Sequence, residues 1–439
     1  MINWLFRLLR NKMFWYLDKK NHNLISRAYK EIKEIDELDS NSSLVNNFID
    51  KSLVNLLKHA STTTKFYKDF SNEINTLNDF PVINKNIIRE NQDDFISKQY
   101  EKSDLVTIST SGSTGTPFVC YQNIEKKRRV NAEIIYYSEK VNYSVGDNLI
   151  FLRSLNEANN KTKFKQWIQN ENLIDINNLN DQNIEKLLKQ LEKRTKNGSV
   201  LLSYASTLDE LTRFYNKNNI MNTFNVKGMI SGAEMLYDET RTAMEKLFDC
   251  QCVSRYSNQE NGVLGQDELD NNIFIINQAN YIVEIFKINS DELACEGEVG
   301  RIVVTDLHNY GMPMVRYDTG DVGSITFIER NGVKKKAISD FGGRKIDMIY
   351  DCDGNVVSPH KISVSFWAYP ELKQFQFVQQ NETEYFIKLN VDKKFVKEVE
   401  LKNKMLSLLG EEAIIYIEQV EEIPALSSGK RKYIVNNWI

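Results

Sequence analysis

The sequence predicts an α/β protein with a large amino-terminal domain, built on a mostly parallel sheet, and a small α+β carboxyl-terminal domain. Three observations support this fold class. The chain has 439 residues, more than one small domain requires. Between about residues 100 and 340, short apolar runs alternate with helical patterns, as in sheets whose parallel strands are joined by helices. Beyond Gly342, short alternating strands accompany a single helix.

The composition excludes several classes of protein. The 56 basic and 60 acidic residues leave a net charge of −4, so there is no overall positive field to hold nucleic acid. No apolar run approaches the roughly 18 residues of a membrane helix. Five scattered cysteines indicate reduced thiols and a cytoplasmic protein, and the four histidines have no zinc-ligand spacing, so we expect no zinc.

Residues 1–75 are predicted to form a helical lead-in. The run WLFRLLRNKMFWYLDKK is basic and amphipathic, and FIDKSLVNLLKHA follows after a polar stretch. We expect the apolar face of the first helix to pack on the body of the protein. Contact of residues 1–20 with a membrane surface is the alternative.

The body of the chain contains predicted buried strands, and the ligand-binding loops should follow their carboxyl ends. DETRTAMEKLFDC is a predicted helix with Asp238 as its N-cap. The strands are DNLIFLR, SVLLSYAS, VKGMISGAE, CQCVSRYS and GRIVVTDL in the large domain, 1–342, and FQFVQ, EYFIKLNV and AIIYIEQV in the small domain, 343–439. In the small domain the helix FVKEVELKNKMLSLLG ends at Gly410.

The segment STSGSTGTP, residues 109–117, has the composition of an oxyanion-binding loop. Its glycines allow successive backbone N–H groups to turn inward, and its hydroxyl groups add donors without bulk. A flexible Ser/Thr/Gly linker is the other interpretation of this segment alone. The candidate phosphate-binding residues are Ser111, Gly112, Ser113, Thr114 and Gly115.

Four further motifs follow along the chain. YSNQENG offers the Tyr256 ring as a stacking face and the Glu260 carboxylate as a metal ligand. RYDTGD places Asp321 after a tight turn, where it could accept hydrogen bonds from a diol. Arg344 in GGRKIDM stands at the predicted domain boundary, and Lys430 lies in SSGKRK. Taken singly, each is compatible with an ordinary turn or a surface lysine.

In their order and spacing, these five motifs resemble those of the adenylate-forming (ANL) superfamily. Within it the chain is most similar to the phenylacetate-CoA ligase-like and CapK-like branch, also called coenzyme F390 synthetase-like. The resemblance runs from about residue 50 to the end of the chain and includes LNDFPVINKNIIREN, which precedes the phosphate loop. It implies a large adenylation domain and a small, mobile carboxyl-terminal domain that closes over it.

The resemblance also implies a set of site residues, with ATP and Mg²⁺ as cofactors. Residues 111–117 would hold the β- and γ-phosphates, with Thr114 also near Mg²⁺, and Lys430 would complete the adenylation site. The remaining implied roles are adenine contacts for Gly232, Ala233, Glu234 and Tyr256, ATP or AMP binding for Ser257 and Gln259, a Mg²⁺ ligand for Glu260, ribose binding for Asp321, and ribose or phosphate binding for Arg344.

The implied reaction joins a small carboxylic acid to AMP and then passes the acyl group to an amine, hydroxyl or thiol acceptor. DCDGNVVSP replaces the RGxNxxP pattern of the CoA ligases, which favours a CapK-like acceptor in surface polysaccharide synthesis over CoA. An acyl-CoA ligase of the phenylacetate type is the alternative. Thr116, Gln259 and Ile346 depart from the family pattern, so a nucleotide-binding protein without turnover also remains open.

Overall fold

A computed structural model describes most of the chain, and every structural statement below concerns the residues in these ranges. They are 2–70, 76–110, 118–155, 160–177, 179–218, 220–268, 272–344, 348–357, 359–369, 371–391, 394–424 and 432–438.

The described ranges contain eleven α-helices and nineteen strands. The helices are α1 Ile2–Lys20, α2 Leu24–Glu37, α3 Ser43–Thr63, α4 Lys85–Glu90, α5 Ile124–Glu139, α6 Lys163–Gln169, α7 Asp181–Thr195, α8 Ala205–Asn218, α9 Asp238–Phe248, α10 Pro359–Trp367 and α11 Glu398–Leu409. The strands are β1 Val106–Thr110, β2 Phe118–Gln122, β3 Asn148–Arg153, β4 Glu171–Asp175, β5 Ser199–Tyr204, β6 Val226–Gly232, β7 Cys252–Asn258, β8 Gly262–Gln266, β9 Phe274–Ile276, β10 Tyr281–Phe286, β11 Gly300–Asp306, β12 Tyr317–Arg330, β13 Val333–Arg344, β14 Ile349–Tyr350, β15 Val356–Val357, β16 Leu372–Gln379, β17 Glu384–Val391, β18 Ile414–Gln419 and β19 Ile434–Asn436.

The large sheet has eleven strands in the order β10-β11-β12-β13-β9-β8-β7-β6-β5-β3-β4, and the α/β prediction is confirmed. Strands β3 to β7 pair in parallel, whereas every pair from β7 to β10 along this order is antiparallel. The predicted strand GRIVVTDL therefore lies in the antiparallel half. Its connections to β10 and β12 contain no helix, and parallel neighbours would need a longer crossover.

The parallel half is buried by helices on its faces. Leu201 of β5 and Met229 of β6 share one core cluster with Leu208 of α8 and Leu247 of α9. The prediction that Asp238 is the N-cap of this last helix was wrong, since Tyr237 occupies that position. Asp238 is the first helical residue, where its charge complements the amino-terminal end of the helix dipole.

The amino-terminal lead-in is helical as predicted, and α2 packs on α5 through Ile32 and Ala132. The expectation that the apolar face of α1 packs on the body was wrong for most of that helix. Phe14 and Trp15 pack against the core, but other large apolar side chains of α1 are exposed. The physical reason is that Arg7 and Asn11 find hydrogen-bond acceptors on the body and so turn toward it.

The carboxyl-terminal residues form a second sheet with its own core. Its four strands have the order β18-β17-β16-β19, and α10 and α11 pack on it through residues such as Phe366 and Leu401. Helix α11 ends at Gly410, whose φ of 100° suits glycine. The boundary after residue 342 stays a prediction; β13 continues through it to Arg344. Among all the helices described, none has the length and hydropathy to cross a bilayer.

Candidate active site

Strands β1 and β2 form a hairpin around the predicted phosphate loop. Thr110 pairs with Phe118, so the two residues that flank 111–117 are neighbours across the hairpin. The loop itself, with Ser111, Gly112, Ser113, Thr114 and Gly115, lies outside the described residues, as do Thr116, Ile346 and Lys430. Thr110 and Phe118 nevertheless show where the predicted phosphate loop joins the hairpin.

Glu260 lies in the turn between β7 and β8, close to one flank of this loop. Its carboxylate is buried. Lys85 Nζ lies 2.7 Å from Oε1, and the Tyr317 hydroxyl donates a hydrogen bond to the same oxygen at 3.2 Å. Lys85 is the first residue of α4, and its Nζ lies 5.5 Å from the centroid of the Phe118 ring. Lys85 thus connects the end of the β1–β2 hairpin with the predicted metal ligand.

Sequence reasoning missed Lys85 as a site residue, although it singled out the segment that contains it. The available signal was a lysine directly after a helix-capping residue, within an otherwise apolar stretch. Asn84 caps α4 by accepting hydrogen bonds from the backbone N–H groups of Asn86 and Ile87. The cap fixes the start of the helix and with it the place of the lysine.

The turn that carries Glu260 is held rigidly from two sides. Gln122 Nε2 donates to the Glu260 carbonyl at 2.9 Å, and the Tyr281 hydroxyl donates to the Asn261 carbonyl at 2.8 Å. Gly262 closes the turn with φ of 130°, and a Cβ at this position would overlap the Glu133 carboxylate. Only glycine fits there, which explains the last residue of the YSNQENG motif.

Tyr256 and Asp321, predicted to contact adenine and ribose, lie together. The Tyr256 hydroxyl donates to Asp321 Oδ2 at 2.9 Å, and the ring centroid is 4.7 Å from that of Phe341. Burial raises the pKa of Tyr256 well above its usual value, and the Asp321 charge raises it further. The phenol therefore stays neutral and remains a donor.

Strand β12 brings the two halves of this site together, since it begins with Tyr317 beside Glu260 and continues to Asp321 beside Tyr256. Asp321 pairs with Arg344 in the register of β12 and β13, which places the Arg344 backbone next to the predicted ribose residue. Ser257 and Gln259 are exposed close to the turn that carries Glu260.

The predicted adenine-side residues lie at the carboxyl end of β6. Glu234 Oε2 accepts a hydrogen bond from the Ser206 N–H at 3.0 Å and so connects this loop with the start of α8. Ala233 has a left-handed φ of 69°. Around Gly232 the nearest heavy atom to an added Cβ would be 4.0 Å away, so the chain is open here.

The residues around Glu260 fit a magnesium ion that is shared with a nucleotide. Within the described part of the chain, no group of three or more His, Cys, Asp or Glu side chains could hold a metal by itself. Mg²⁺ commonly takes one or two protein carboxylates and completes its octahedron with phosphate oxygens and water. Glu260 fits as that single protein ligand, and one of its oxygens binds Lys85.

A hydrogen-bonded contact joins the carboxyl-terminal residues to the large sheet. The Tyr433 hydroxyl donates to Asp209 Oδ2 at 3.0 Å, and the Thr240 hydroxyl donates to Oδ1 of the same carboxylate. Burial raises the pKa of Asp209 to about 7, against the opposing hydrogen bond from Thr240. Tyr433 is thereby anchored to α8, the helix that follows β5, whereas Lys430, three residues earlier, lies outside the described residues.

Comparison with solved structures shows which proteins share this fold. The fold is similar to that of 2-hydroxyisobutyryl-CoA ligase in its post-adenylation state with an acyl-AMP, with a TM-score of 0.71, 14% identity and 91% of each chain covered. The same enzyme in its thioesterification state gives a TM-score of 0.56. ATP-bound MatB from Rhodopseudomonas palustris gives 0.54 at 14% identity, over 76% of this chain and 68% of that one. The chain thus has the fold of adenylate-forming acid–CoA ligases.

Sequence comparison supports the branch within that class. Residues 349–437 match the CapK C-terminal domain family. Protein CapK of Staphylococcus aureus is 24% identical over 433 residues, which cover 93% of this chain and 92% of that protein. The predicted resemblance to CapK-like proteins is thus confirmed by sequence, and the predicted fold of the adenylate-forming superfamily is confirmed by structure.

Proposed function

We propose that the protein activates a small carboxylic acid with ATP, releases pyrophosphate, and transfers the acyl group from the resulting adenylate to a second nucleophile. One observation carries this proposal. The predicted metal, adenine and ribose residues form a continuous series of contacts from Phe118, through Lys85 and Glu260, to Tyr317 on the strand that carries Asp321. In this proposal, a bound nucleotide would lie along that series of residues.

The proposed site residues would reduce the repulsion between the negatively charged carboxylate and the phosphates of ATP. An oxygen of the substrate carboxylate attacks the α-phosphorus, the bond to the β-phosphate breaks, and pyrophosphate leaves with the electron pair. Mg²⁺, held by Glu260 and in part by Thr114, would neutralise charge on the phosphates. The loop 111–117 would bind the β- and γ-phosphates through backbone N–H groups, and Lys430 would place its ammonium beside the α-phosphate.

Lys430 acts only if the carboxyl-terminal residues close on the large sheet. The contact between Tyr433 and Asp209 supports that arrangement, because it anchors the chain three residues after Lys430 to α8, the helix that follows β5. The higher TM-score with the post-adenylation state than with the thioesterification state supports it too.

The acid would bind between the phosphate loop and the end of β5. Tyr204 ends this strand, and Arg153 ends the neighbouring β3. The Arg153 guanidinium lies 4.7 Å from the Phe151 ring centroid and hydrogen-bonds to Tyr204. A partly buried cation at this edge of the sheet supports an anionic substrate without fixing its size.

Exchange of labelled pyrophosphate into ATP tests the first half of the reaction. Across a panel of aryl, fatty and amino acids, we expect exchange with one class of acid only. Lys430→Ala should abolish exchange and leave ATP binding intact, whereas the exposed Lys402→Ala on α11 should change neither. Exchange at the wild-type rate in Lys430→Ala would overturn the role of Lys430, and no exchange with any acid would favour a protein without turnover.

We propose an amine or hydroxyl acceptor in capsule or other surface polysaccharide synthesis. The similarity to Protein CapK and the DCDGNVVSP sequence support it; in that segment Asp351 Oδ1 accepts hydrogen bonds from the backbone N–H groups of Asp353 and Asn355. A CoA thioester is the second candidate, because the structurally similar enzymes are CoA ligases. Added CoA separates the two: thioester formation supports the ligase, and accumulation of the adenylate supports another acceptor.

A further inference from the structure

Helix α1 turns its hydrogen-bonding side chains toward the protein and its large apolar side chains toward solvent. Arg7 binds Asp147 at 3.1 Å, and Asn11 donates to the Val145 carbonyl at 3.0 Å. A surface helix normally has the opposite arrangement, with its apolar stripe on the core. The outward apolar residues follow one another at helical spacing: Leu5, Leu9, Met13 and Tyr16, each 51–58% exposed.

Helix α6 extends this apolar surface. Arg10 of α1 donates to the Trp167 carbonyl at 2.9 Å, and its guanidinium lies 5.5 Å from the centroid of the Trp167 ring. Trp167 and Phe164 of α6 stack on each other and are 60% and 70% exposed. Exposed apolar patches of this kind mark interaction sites. The α1–α6 surface is defined by Leu5, Leu9, Met13, Tyr16, Phe164 and Trp167.

The exposed charged residues on helices α1 and α6 are all basic. Helix α1 has a single acidic residue, Asp18, which is buried and accepts hydrogen bonds from the N–H groups of Ile25 and Ser26. The whole chain is acidic, with a net charge of −4, so this basic character is local. The exposed basic residues on the two helices are Lys12, Lys19, Lys20, Lys163 and Lys165.

We propose that the α1–α6 surface binds the face of an anionic lipid bilayer. Tryptophan, tyrosine and leucine side chains flanked by lysines are the composition of helices that lie in the membrane interface, with the apolar groups among the acyl chains and the ammonium groups at the lipid phosphates. A second copy of the same surface is a poorer partner, because its lysines would meet lysines of equal sign. This binding goes beyond the proposed reaction and does not depend on it.

Flotation of the full chain with lipid vesicles tests the proposal without reference to activity. We expect the protein to bind vesicles of phosphatidylglycerol and phosphatidylcholine in equal parts, to bind phosphatidylcholine vesicles far less, and to dissociate as salt increases. The triple variant L5S/L9S/M13S should lower the partition coefficient at least about tenfold, because it removes three side chains from the acyl region.

A control variant removes three apolar side chains elsewhere that are even more exposed. M221S/V396S/V399S changes residues that are 81%, 82% and 74% exposed and should leave the partition coefficient unchanged. Circular dichroism of both triple variants should show that they are folded. If the control lowers binding as much as L5S/L9S/M13S, the surface is not specific and the proposal fails.

The lysines are tested in the same way. K12Q/K19Q/K20Q should lower binding to the anionic vesicles by roughly fivefold for each lysine, whereas K189Q/K246Q/K402Q, on other exposed helix faces, should not. Two results would overturn the proposal. One is no binding to anionic vesicles at low salt. The other is a dimer, measured by light scattering, that L5S/L9S/M13S dissociates, since a second copy would then cover the surface.

Discussion

Two lysine–carboxylate pairs with the same separation occupy very different regions of this protein. Lys126 Nζ is 2.7 Å from Asp306 Oδ2, and Lys85 Nζ is 2.7 Å from Glu260 Oε1. Both side chains of the first pair are fully buried, whereas 27% of the Lys85 side chain is exposed. The distance between the charged atoms therefore does not distinguish the two pairs, whereas the exposure of the lysine side chain does.

The surroundings explain the difference. Lys126 also contacts the Tyr281 hydroxyl at 3.0 Å and lies 3.8 Å from Glu133, so its charge is neutralised within a closed cluster. Lys85 can leave Glu260 without unfolding its surroundings, because α4 is short and 27% of the Lys85 side chain is exposed. The first pair stabilises α5 against the sheet, and the second offers an exchangeable cation.

Replacing Lys126 should give the largest effect on stability. Lys126→Met leaves two buried carboxylates, Asp306 and Glu133, without their cation and should lower the free energy of unfolding by about 3–5 kcal/mol. Urea unfolding measures the loss. Lys85→Met is the matched control and should lose less, roughly 1–3 kcal/mol, because it leaves only one buried carboxylate, Glu260, without its cation. Equal losses in the two variants would contradict the distinction between the pairs.

Glu260→Gln should affect catalysis and leave stability nearly unchanged. The amide keeps the shape and the hydrogen bond with Tyr317 but loses the charge needed for the metal, so pyrophosphate exchange should fall by about 10²- to 10³-fold. The exposed Glu292→Gln is the control for loss of one carboxylate. Pyrophosphate exchange at the wild-type rate in Glu260→Gln would show that Glu260 is not a site residue.

Lys85 provides a smaller and more specific effect. If Lys85 and Mg²⁺ compete for the Glu260 carboxylate, Lys85→Met should lower the Mg²⁺ concentration for half-maximal ATP binding by roughly fivefold, the equivalent of a pair worth about 1 kcal/mol. Lys85→Arg keeps the charge and should stay near the wild type. Calorimetric titration of ATP at several Mg²⁺ concentrations measures the shift, and a rise in the required Mg²⁺ would show that Lys85 helps to hold the nucleotide.

Asp209 is another buried carboxylate to compare with the two lysine–carboxylate pairs. It accepts hydrogen bonds from the hydroxyl groups of Thr240 and Tyr433. Its folded pKa of about 7 lies above the ordinary value of 3.8, so it favours folding at low pH and loses that contribution as the pH rises through 7. The loss is at most about 1.4 kcal/mol per pH unit between roughly 4 and 7.

Asp209→Asn removes this titration and keeps a hydrogen-bond acceptor. The melting temperature of the variant relative to the wild type should rise between pH 5 and pH 8. Tyr433→Phe, which removes one of the two hydroxyl donors, should retain the pH dependence. Parallel melting curves of Asp209→Asn and the wild type at every pH would contradict the raised pKa.

Much of the fold followed from local pattern. The buried strands DNLIFLR and VKGMISGAE correspond to β3 and β6, because short apolar runs with no polar alternation suit a sheet covered on both faces. GRIVVTDL looks the same in sequence, although its neighbours are antiparallel. Strand direction depends on the connections rather than on the strand, so composition could not decide it.

Short motifs in the sequence were enough to single out part of the candidate site. Tyr256 and Asp321 were singled out separately and lie in hydrogen-bond contact. Lys85 and Tyr317 could not be ranked in the same way, because their significance arises from contact with Glu260 across long sequence separations. The prediction for helix α1 failed for a related reason. An amphipathic sequence shows that a helix has an apolar stripe, but it does not show what that stripe packs against.

Strand β12 has a consequence for engineering this protein. Near one end it bears Asp321, and at the other Arg330 is clamped by Asp36 of α2 and by Glu268. The fourteen residues of β12 thus connect the helical lead-in with the predicted ribose-binding residue, and their pairing with β13 shifts register once, between Val322 and Ser324. A bulky fusion partner that displaces the lead-in should therefore disturb the position of Asp321, so protein prepared for kinetic work should carry no fusion at its first helices.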